Sequence, residues 1–341
     1  MLKIKNILII IFILLIATAC NNSQENNEPV KASHNGMGTI TDFIVFGEQA
    51  EEGIEKAKEI MIDIEQKMSL SIDNSEVNKI NSQAGIEKVE VSDDTFEVIS
   101  RGLYFSELTE GSFDISIAPI TELWNIGKDD QRVPSENEIK EKLSLVNYKN
   151  IVLNKEENSI FLKKEDMKID LGGIAKGFAA DKIISTFKGM GIENALVNVG
   201  GNIKVLGENP QKNRPWRVGL RHPREARGSH FTTTKLQDGD TVVTSGDYER
   251  FFINQDIRYH HIFDAKLGKP SRTDIIGVSI ITDNSMDADG LSTSVFVLGS
   301  QKGQKIIEDL EGVEAIIVTK ELKIIMTEGA KEYLENVKNQ L

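Results

Sequence analysis

A carboxylate and a hydroxyl four residues apart, late in the sequence, could bind a metal ion. Asp289 and Thr293 lie within residues 287–299, and the two side chains share one face if this segment is helical. Their oxygens are hard ligands that suit Mg²⁺, which usually completes its shell with water and substrate phosphate. Helix capping by Asp287 or Asp289 is the structural alternative, but capping makes no demand on Thr293.

A glycine pair between a predicted strand and a predicted helix could bring a phosphate close to the backbone. Residues 168–182 contain Gly172 and Gly173, and Lys176 falls in the first helical turn. Free N–H groups at a helix start suit a phosphate, and Lys176 would add a positive charge. The segment lacks the Lys and Ser/Thr of a Walker A loop and the glycine spacing of a dinucleotide-binding loop. A tight turn without a ligand is the alternative.

Two adjacent histidines form a third candidate site. His260 and His261 follow a predicted turn at residues 254–256, and adjacent strand residues face opposite ways, so at most one of them enters a given pocket. Together with the nearby Asp264 they favour a site over histidines that are merely packed or exposed. A second glycine pair, Gly200–Gly201, predicts either a hairpin turn or part of a site.

The elements that would position these residues follow from the spacing of apolar side chains and from turn signals. We predict a strand at 39–46, helices at 51–68 and 95–108, a helix start at 133–135, two short strands within 150–163, and an apolar strand at 195–199. No internal repeat or Pro-rich linker interrupts residues 37–341, so one α+β domain is the simplest interpretation, with residues 208–240 as a candidate insertion.

The N-terminus predicts export and lipidation. Lys3 and Lys5 precede an apolar run over residues 7–17, and small residues precede Cys20. This arrangement is typical of a signal peptide, since a transmembrane helix needs about 20 apolar residues. We therefore predict a lipoprotein signal peptide at 1–19, a lipidated Cys20 in a sequence that resembles a lipobox, and a flexible tether over 20–36. A secretory signal with an incidental cysteine is the alternative.

Composition narrows the class of protein. A hydrophobic content of 39% supports a buried core. The formal net charge of −13 disfavours nucleic acid, which rewards clustered Lys and Arg, and it does not favour anionic lipid, so a lipid on Cys20 would have to anchor the chain. Because Cys20 is the single cysteine, neither a disulfide within the chain nor a thiolate metal site is possible.

Taken in order, these segments resemble the ApbE family, whose members are FAD:protein FMN transferases and often bacterial lipoproteins. The resemblance runs from about residue 37 to residue 299 and includes residues 113–119 and 123–124. Each motif is weak alone, but five in one order are specific. They are Asp170-Leu171-Gly172-Gly173-Ile174-Ala175-Lys176-Gly177, Val199-Gly200-Gly201, Ser245-Gly246-Asp247-Tyr248, His261-Ile262-Phe263-Asp264 and Asp289-Gly290-Leu291-Ser292-Thr293.

The resemblance implies a reaction, a fold and a set of ligands. FMN would pass from FAD to a Thr or Ser of an acceptor protein through a phosphoester bond, and AMP would leave. The implied fold, over 37–341, is a single large α+β domain of ApbE-like, T-fold-related architecture with mixed or antiparallel sheets and packed helices. The implied Mg²⁺ ligands are Asp289, Thr293 and the carbonyl of Gly173, with the carbonyl of Ser292 as an additional ligand. The flavin-contacting positions of the family fall on Met37, Ser71, Ile117, Ala118, Asp170, Lys176, His261 and Ile262.

Removal of the acceptor's hydroxyl proton requires a base. His261 is the first candidate because the unperturbed pKa of histidine lies near neutrality, and Asp247 and Asp264 are the alternatives. The sequence departs from the usual family pattern at Ala265, where Pro is common, and at Leu267, where Thr is common. The shape of the loop after His261 is therefore open.

Three functions remain open. They are a flavin transferase, an FAD hydrolase that uses water at the same metal site, and a lipoprotein that only binds and delivers flavin. The Asp289 and Thr293 pair speaks against the last, since carrying FAD requires no metal.

The implied acceptors are membrane flavoproteins with extracytoplasmic domains, such as subunits of sodium-pumping or Rnf-type redox complexes, at the outer face of the bacterial cell membrane. In segment 208–240, four side chains either contact an acceptor or lie at the surface: Trp216, Arg217, Arg221 and Arg224.

Overall fold

Many short strands lie along the chain. The computed structural model describes residues 28–226, 228–336 and 340–341, and seventeen strands lie within them. The strands are β1 (Val30–Gly36), β2 (Thr39–Val45), β3 (Val89–Glu90), β4 (Ile151–Asn154), β5 (Ser159–Leu162), β6 (Ala195–Val199), β7 (Asn202–Leu206), β8 (Trp216–Arg221), β9 (His230–Leu236), β10 (Thr241–Gly246), β11 (Phe251–Asn254), β12 (Ile257–His260), β13 (Phe263–Asp264), β14 (Lys269–Pro270), β15 (Ile275–Thr282), β16 (Glu314–Thr319) and β17 (Ile324–Met326).

Helices connect these strands and cover one face of the main sheet. Within the described ranges there are eight α-helices, and none combines the length and apolar character needed to cross a membrane. The helices are α1 (Ala50–Met68), α2 (Glu76–Ser82), α3 (Asp93–Leu108), α4 (Ala118–Trp124), α5 (Glu136–Leu143), α6 (Ala175–Gly189), α7 (Ser285–Leu298) and α8 (Ser300–Glu308). Two short 3-10 helices lie at Tyr148–Asn150 and Gly329–Tyr333.

The main sheet has eight strands in the order β1-β2-β6-β7-β10-β15-β16-β17. Its neighbouring strands all pair antiparallel, as do those of the smaller sheets β3-β5-β4, β8-β9, β11-β12 and β13-β14. The α+β prediction is therefore confirmed in its antiparallel form. A parallel pairing occurs as the isolated bridge between Ile117 and Lys168.

Both faces of the main sheet are buried, as the central strand β15 illustrates. All eight of its residues are buried. Val278 and Ile280 pack with α3, α6 and α7, whereas Ile276 and Ile281 pack on the other face with apolar residues of β8, β9 and β16. A strand covered on both sides loses the strict apolar–polar alternation of a half-exposed strand. The segment at 208–240, predicted as an insertion, contributes the β8–β9 hairpin to this second face, with Trp216 buried.

Most of the predicted elements are present. Helix α1 buries Ile54, Ala57, Met61, Ile64 and Met68, which are the positions that the sequence spacing selected. Ser135 starts α5 with a capping box, in which Ser135 and Glu138 satisfy each other's backbone N–H groups. The pair Gly200–Gly201 is a two-residue hairpin turn between β6 and β7, with φ of +58° and +100°, so the hairpin alternative is correct.

The predicted tether is wrong over its last residues. Cys20 and the predicted signal peptide lie outside the described residues, but Val30–Gly36 forms strand β1 and pairs with β2 along its whole length. The sequence of the predicted tether is polar, rich in Asn and without apolar periodicity, a pattern that predicts an unstructured segment. Backbone hydrogen bonds to β2 hold this edge strand without a large apolar face. The domain therefore begins before residue 37.

Helices α6 and α7 approach so closely that only glycine fits at their contact. A Cβ atom on Gly177 would lie 2.1 Å from the carbonyl oxygen of Ser285 and 2.7 Å from the Cα atom of Met286. The first N–H groups of α7, on Ser285 and Met286, donate to the Asp181 carboxylate of α6 at 3.0 and 2.8 Å. This contact fixes the start of α7 against α6.

The substitution Gly177→Ala is expected to destabilise the protein by about 3 kcal/mol, because overpacking against backbone atoms forces α6 and α7 apart. Gly189→Ala is the matched control, since Gly189 lies in the same helix with no atom within 4 Å of its added Cβ. Alanine there should be neutral or slightly stabilising. Urea unfolding of both variants measures the difference, and equal effects would contradict the close-contact argument.

Candidate active site

The glycine turn before α6 is held by Asp170. The Asp170 N–H donates to the carbonyl of Ile115 at 2.8 Å, and its Oδ1 accepts the Gly172 N–H at 2.8 Å. Its Oδ2 accepts the hydroxyl of Thr121 in α4 at 3.2 Å. Because α4 begins at Ala118, directly after Ile117, the structure brings three of the predicted flavin positions together at one end of this turn: Asp170, Ile117 and Ala118.

The predicted metal ligands also converge. A Cβ on Gly173 would lie 4.0 Å from the Thr293 hydroxyl oxygen, so the glycine turn faces α7 directly. The Ser292 hydroxyl donates to the Asp289 carbonyl at 3.0 Å and lies 2.8 Å from the Ser245 hydroxyl. Ser245 Oγ is also 3.5 Å from Thr293 Oγ1. Ser245, at the end of β10, therefore adds an oxygen to a cluster that the sequence analysis assigned without it.

Asp289 is a buried carboxylate with a cationic partner. Lys176 Nζ lies 3.1 and 3.2 Å from its two oxygens, and the Gly177 N–H donates to Oδ2 at 3.1 Å. Asp289 thus satisfies one of the free N–H groups at the start of α6, where the sequence analysis expected a phosphate. Among the described residues, no three His, Cys, Asp or Glu side chains group as metal ligands, and the predicted ligand set itself contains a single carboxylate.

Neither Asp289 nor Asp287 caps α7, the helix that contains them. The Asn284 side chain caps α7 by accepting the Asp287 N–H at 2.9 Å. The Asp287 carboxylate instead forms a bidentate ion pair with Arg101 of α3, whose Nε and Nη2 donate to its two oxygens at 2.6 and 2.7 Å. The capping alternative is therefore wrong, and Asp289 and Thr293 share a face of α7 as their spacing predicted.

The two histidines have different surroundings. His260 is buried and stacks edge-on against Phe296. Its Nε2 lies 2.9 Å from the Ser271 carbonyl, which can only accept, so Nε2 carries the proton, and Nδ1 accepts the Ile262 N–H at 3.3 Å. Burial lowers the pKa of His260 to about 4. The neutral ring is fully hydrogen-bonded, so His260 has a structural role.

The His261 side chain faces away from that of His260, and its Nδ1 but not its Nε2 hydrogen-bonds to the backbone. Its Nδ1 lies 3.2 Å from the Arg250 carbonyl, which also accepts the His261 backbone N–H at 3.1 Å. Because a carbonyl cannot donate, Nδ1 carries the proton and Nε2 keeps its lone pair. Burial lowers the pKa of His261 to about 3, and the positive charges of Arg250 and Lys176 act in the same direction. His261 is therefore neutral and lies near Lys176.

Met37 joins the site through the β1–β2 hairpin. The Met37 N–H donates to Glu65 at 2.8 Å, and Arg250 Nη2 donates to the Gly38 carbonyl at 2.6 Å. Arg250 thus connects this hairpin tip to His261. Ser71 is exposed, and its N–H donates to the Ser69 hydroxyl at 3.1 Å, so its flavin contact stays a prediction.

The two alternative bases are engaged elsewhere. Asp247 accepts both terminal nitrogens of Arg224 at 2.7 and 2.8 Å, and Arg258 approaches it at 3.5 Å. Asp264 closes a tight turn, in which its Oδ1 accepts the Lys266 N–H at 2.9 Å. Ala265 is buried and Leu267 is exposed in that turn. These contacts favour His261 as the base.

Comparison with known protein families identifies the family of this chain. The ApbE family matches residues 37–317 of this sequence. The chain belongs to the ApbE family. Its site lies between the glycine turn, α7, the end of β10 and the loop that contains His261, and all of them fall within the matched residues.

Individual ApbE relatives match this chain over most of its length, and their solved structures have the same fold. A protein of Treponema pallidum (strain Nichols) named FAD:protein FMN transferase is 33% identical over 309 residues, covering 86% of this chain and 85% of the relative. The crystal structure of the ApbE protein from Thermotoga maritima superposes with a TM-score of 0.83 at 33% identity, over 91% of this chain and all of that one. The flavin transferase ApbE from Vibrio cholerae gives a TM-score of 0.81 at 25% identity, over 90% and 99%.

Three arginines of the 208–240 segment, Arg217, Arg221 and Arg224, each form an ion pair within this ApbE protein. Arg217 pairs with Glu335 at 2.5 Å, Arg221 with Glu249 at 2.9 Å, and Arg224 with Asp247. They brace the hairpin β8–β9 and the segment after β10. These pairs cannot be predicted from sequence spacing, because each joins residues more than twenty positions apart.

The buried His260 should make folding sensitive to acid. The unfolded chain takes up the imidazole proton near pH 6.5, whereas the folded chain does so near pH 4, so stability is lost as pH falls through this window. We expect a loss of about 2–3 kcal/mol between pH 7.5 and 4.5 from this group. His260→Gln, which retains a donor for the Ser271 carbonyl, should show a correspondingly flatter dependence in urea unfolding. The exposed His230→Gln is the control, and identical pH profiles for all three proteins would refute the assignment.

Proposed function

We propose that this chain transfers the FMN portion of FAD to a Thr or Ser hydroxyl of an acceptor protein, forming a phosphoester bond and releasing AMP, with Mg²⁺ bound at Asp289. One observation carries the proposal. Thr293 faces the Gly173 turn, Asp289 contacts Lys176 and the start of α6, and the positive charge of Lys176 acts on the imidazole of His261. This combines an oxygen site, a cation and a neutral imidazole in one place.

Membership of the ApbE family makes this chain a flavin transferase, an enzyme that uses FAD. The relatives from Treponema pallidum and Klebsiella pneumoniae carry the name FAD:protein FMN transferase, and the latter is 35% identical over 253 residues. The magnesium requirement and the phosphoester bond are the finer parts of the proposal. They depend on the chemistry of the residues themselves.

The residues fit a hard divalent cation. Asp289 would contribute a carboxylate, Thr293 a hydroxyl, and Gly173 and Ser292 backbone carbonyls, which are oxygen donors of the type that Mg²⁺ prefers. The Asp289 carboxylate already has a cation against it in the form of the Lys176 ammonium. When bound, Mg²⁺ would neutralise part of the diphosphate charge and polarise its oxygens.

The chain itself supplies positioning and charge. Phosphoryl transfer requires the attacking and leaving oxygens to be held in line while negative charge is offset. Lys176 supplies a positive charge at the start of α6, and Asp170 braces the glycine turn against α4, next to the flavin-contacting positions of the family. Met37, Ile117 and Ala118 would contact the flavin from the two neighbouring segments.

His261 would accept the hydroxyl proton of the acceptor at Nε2. The Arg250 carbonyl fixes the ring in the tautomer whose free lone pair is on Nε2. Asp247 is less suited because two arginines already occupy its oxygens. The low pKa ensures that His261 is unprotonated at neutral pH, so that it can take up the proton without first losing one.

We also propose that lipidation of Cys20 holds the enzyme at the outer face of the bacterial membrane. Cys20 follows an apolar run and small residues, and the chain carries no second cysteine. Confinement to the membrane surface would raise the effective concentration of the enzyme near acceptors with extracytoplasmic domains. Redox-complex subunits of that kind are the acceptors that we would test first.

Incubation of the purified protein with FAD, Mg²⁺ and an acceptor protein tests the reaction directly. We expect covalently bound, fluorescent flavin on the acceptor and an equal amount of AMP. FMN and AMP with an unlabelled acceptor would establish a hydrolase instead. Intact FAD after long incubation would reduce the chain to a flavin carrier and overturn the proposal.

The same assay with Asp289→Asn tests the oxygen site. Transfer should fall more than 100-fold, because a neutral amide cannot supply the carboxylate charge. Asp287→Asn is the matched control, since Asp287 lies in the same helix and contacts Arg101. Full activity in Asp289→Asn would refute the metal assignment.

The pH dependence of the rate tests the base. His261→Gln should lower kcat by roughly 10²–10⁴-fold, the usual contribution of a general base. In the wild-type enzyme, the acid limb of the pH profile of kcat/KM reports the pKa of the base in the free enzyme, which is about 3 for His261. The acid limb of the pH profile of kcat reports the pKa of the same base in the enzyme–FAD complex. Because the anionic diphosphate raises the pKa of a neighbouring imidazole, the kcat limb should lie at higher pH. Coincident limbs, or activity in His261→Gln close to that of His230→Gln, would contradict this role.

A further inference from the structure

Arg250 occupies a position between three parts of the site. Its side chain donates to the Gly38 carbonyl at the tip of the β1–β2 hairpin, at 2.6 Å. Its Cδ lies 4.0 Å from where a Cβ of Gly127, in the turn after α4, would be. Its backbone carbonyl orients His261, and its positive charge lowers the pKa of that histidine. The Arg250 side chain is therefore near the proposed base and near the hairpin tip that carries Met37, one of the predicted flavin-contacting positions.

The charge on Arg250 is not matched by a carboxylate in the described part of the chain. Four nearby cations are paired: Arg224 and Arg258 with Asp247, Arg221 with Glu249, and Lys176 with Asp289. Arg250 forms no ion pair with any residue in ranges 28–226, 228–336 and 340–341, although the chain has 53 acidic and 40 basic residues. Of its five N–H donors, the contact to Gly38 uses one terminal nitrogen and leaves the others for a ligand.

We propose that the Arg250 guanidinium binds the diphosphate of FAD and holds it beside His261. An unpaired guanidinium with several free donors suits a diphosphate, because its planar fork can contact two phosphate oxygens at once. This inference rests on the proposed flavin transfer and adds a ligand contact to it.

The contact has a defined place in the reaction. A bond forms between the acceptor's hydroxyl oxygen and the FMN phosphorus, and the bond from that phosphorus to the bridging oxygen breaks. AMP leaves with the bonding electron pair, and the hydroxyl proton passes to His261 Nε2. Negative charge grows on the leaving phosphate in this step, and a guanidinium bound there offsets it.

Binding measurements with two flavins separate a phosphate contact from a structural one. FAD carries the diphosphate, and riboflavin carries the same ring system without phosphate. Arg250→Ala should weaken FAD binding about 10–100-fold, the usual effect of losing hydrogen bonds to a charged group, and leave riboflavin binding unchanged. Arg250→Lys should recover part of the loss, since it restores the charge without the fork.

Kinetics and controls complete the test. In the transfer assay Arg250→Ala should raise the KM for FAD and lower kcat, whereas Arg217→Ala, which removes an exposed arginine of β8, should match the wild type. Equal weakening of FAD and riboflavin would show that Arg250 only holds the Gly38 hairpin, and unchanged FAD affinity would also overturn the inference. If Arg250→Ala unfolds at a lower temperature, Arg250→Lys provides the same comparison. Failure of the wild-type enzyme to label an acceptor would refute the transferase function itself, independently of the binding data.

Discussion

The site depends on the contact between α6 and α7 at Gly177. A side chain at this position would collide with the backbone of Ser285, and without the contact Lys176 and Asp289 would not meet. One turn earlier, Gly173 faces Thr293 across the same interface. The interface is also held by the ion pair between the half-buried Asp181 and the buried Lys204. The Lys204 Nζ donates in addition to the Asp283 carbonyl at 2.6 Å. A rigid pair of helices therefore determines the spacing of every proposed metal ligand.

Because the Asp289 carboxylate is buried in this interface, it needs a cationic partner whether the site is empty or loaded. An isolated carboxylate is costly to bury, and the Lys176 ammonium offsets that cost. In the proposed reaction, Asp289 would hold the metal ion, and the Lys176 ammonium would be available to a second anion. The diphosphate of FAD is the anion that the proposed reaction brings to this point. The side chains of Lys176 and Asp289 would thus stabilise the empty site by pairing with each other and would bind the ligands in the loaded site.

The local parts of the site could be predicted from the sequence, and the long-range parts could not. Asp289 and Thr293 are four residues apart on one helix, and strand alternation separates His260 from His261, so neither inference needed tertiary contacts. Which histidine is buried depends on the packing of Phe296, far along the chain. The pairing of Asp247 with Arg224 depends on where the β8–β9 hairpin lies. Strand β1 escaped prediction because its partner strand, rather than its own side chains, holds it in place.

In the proposed reaction, the low pKa of His261 would link proton transfer to substrate binding. In the empty site, burial and the charges of Arg250 and Lys176 keep the imidazole neutral but also make it a weak base. A base is most effective when its pKa lies near the operating pH. A bound diphosphate would offset the two cations and raise the pKa of His261 towards that range. The histidine would then become a competent base only when FAD is present, so that the acceptor's hydroxyl loses its proton at the moment when a phosphorus atom is available to receive the oxygen.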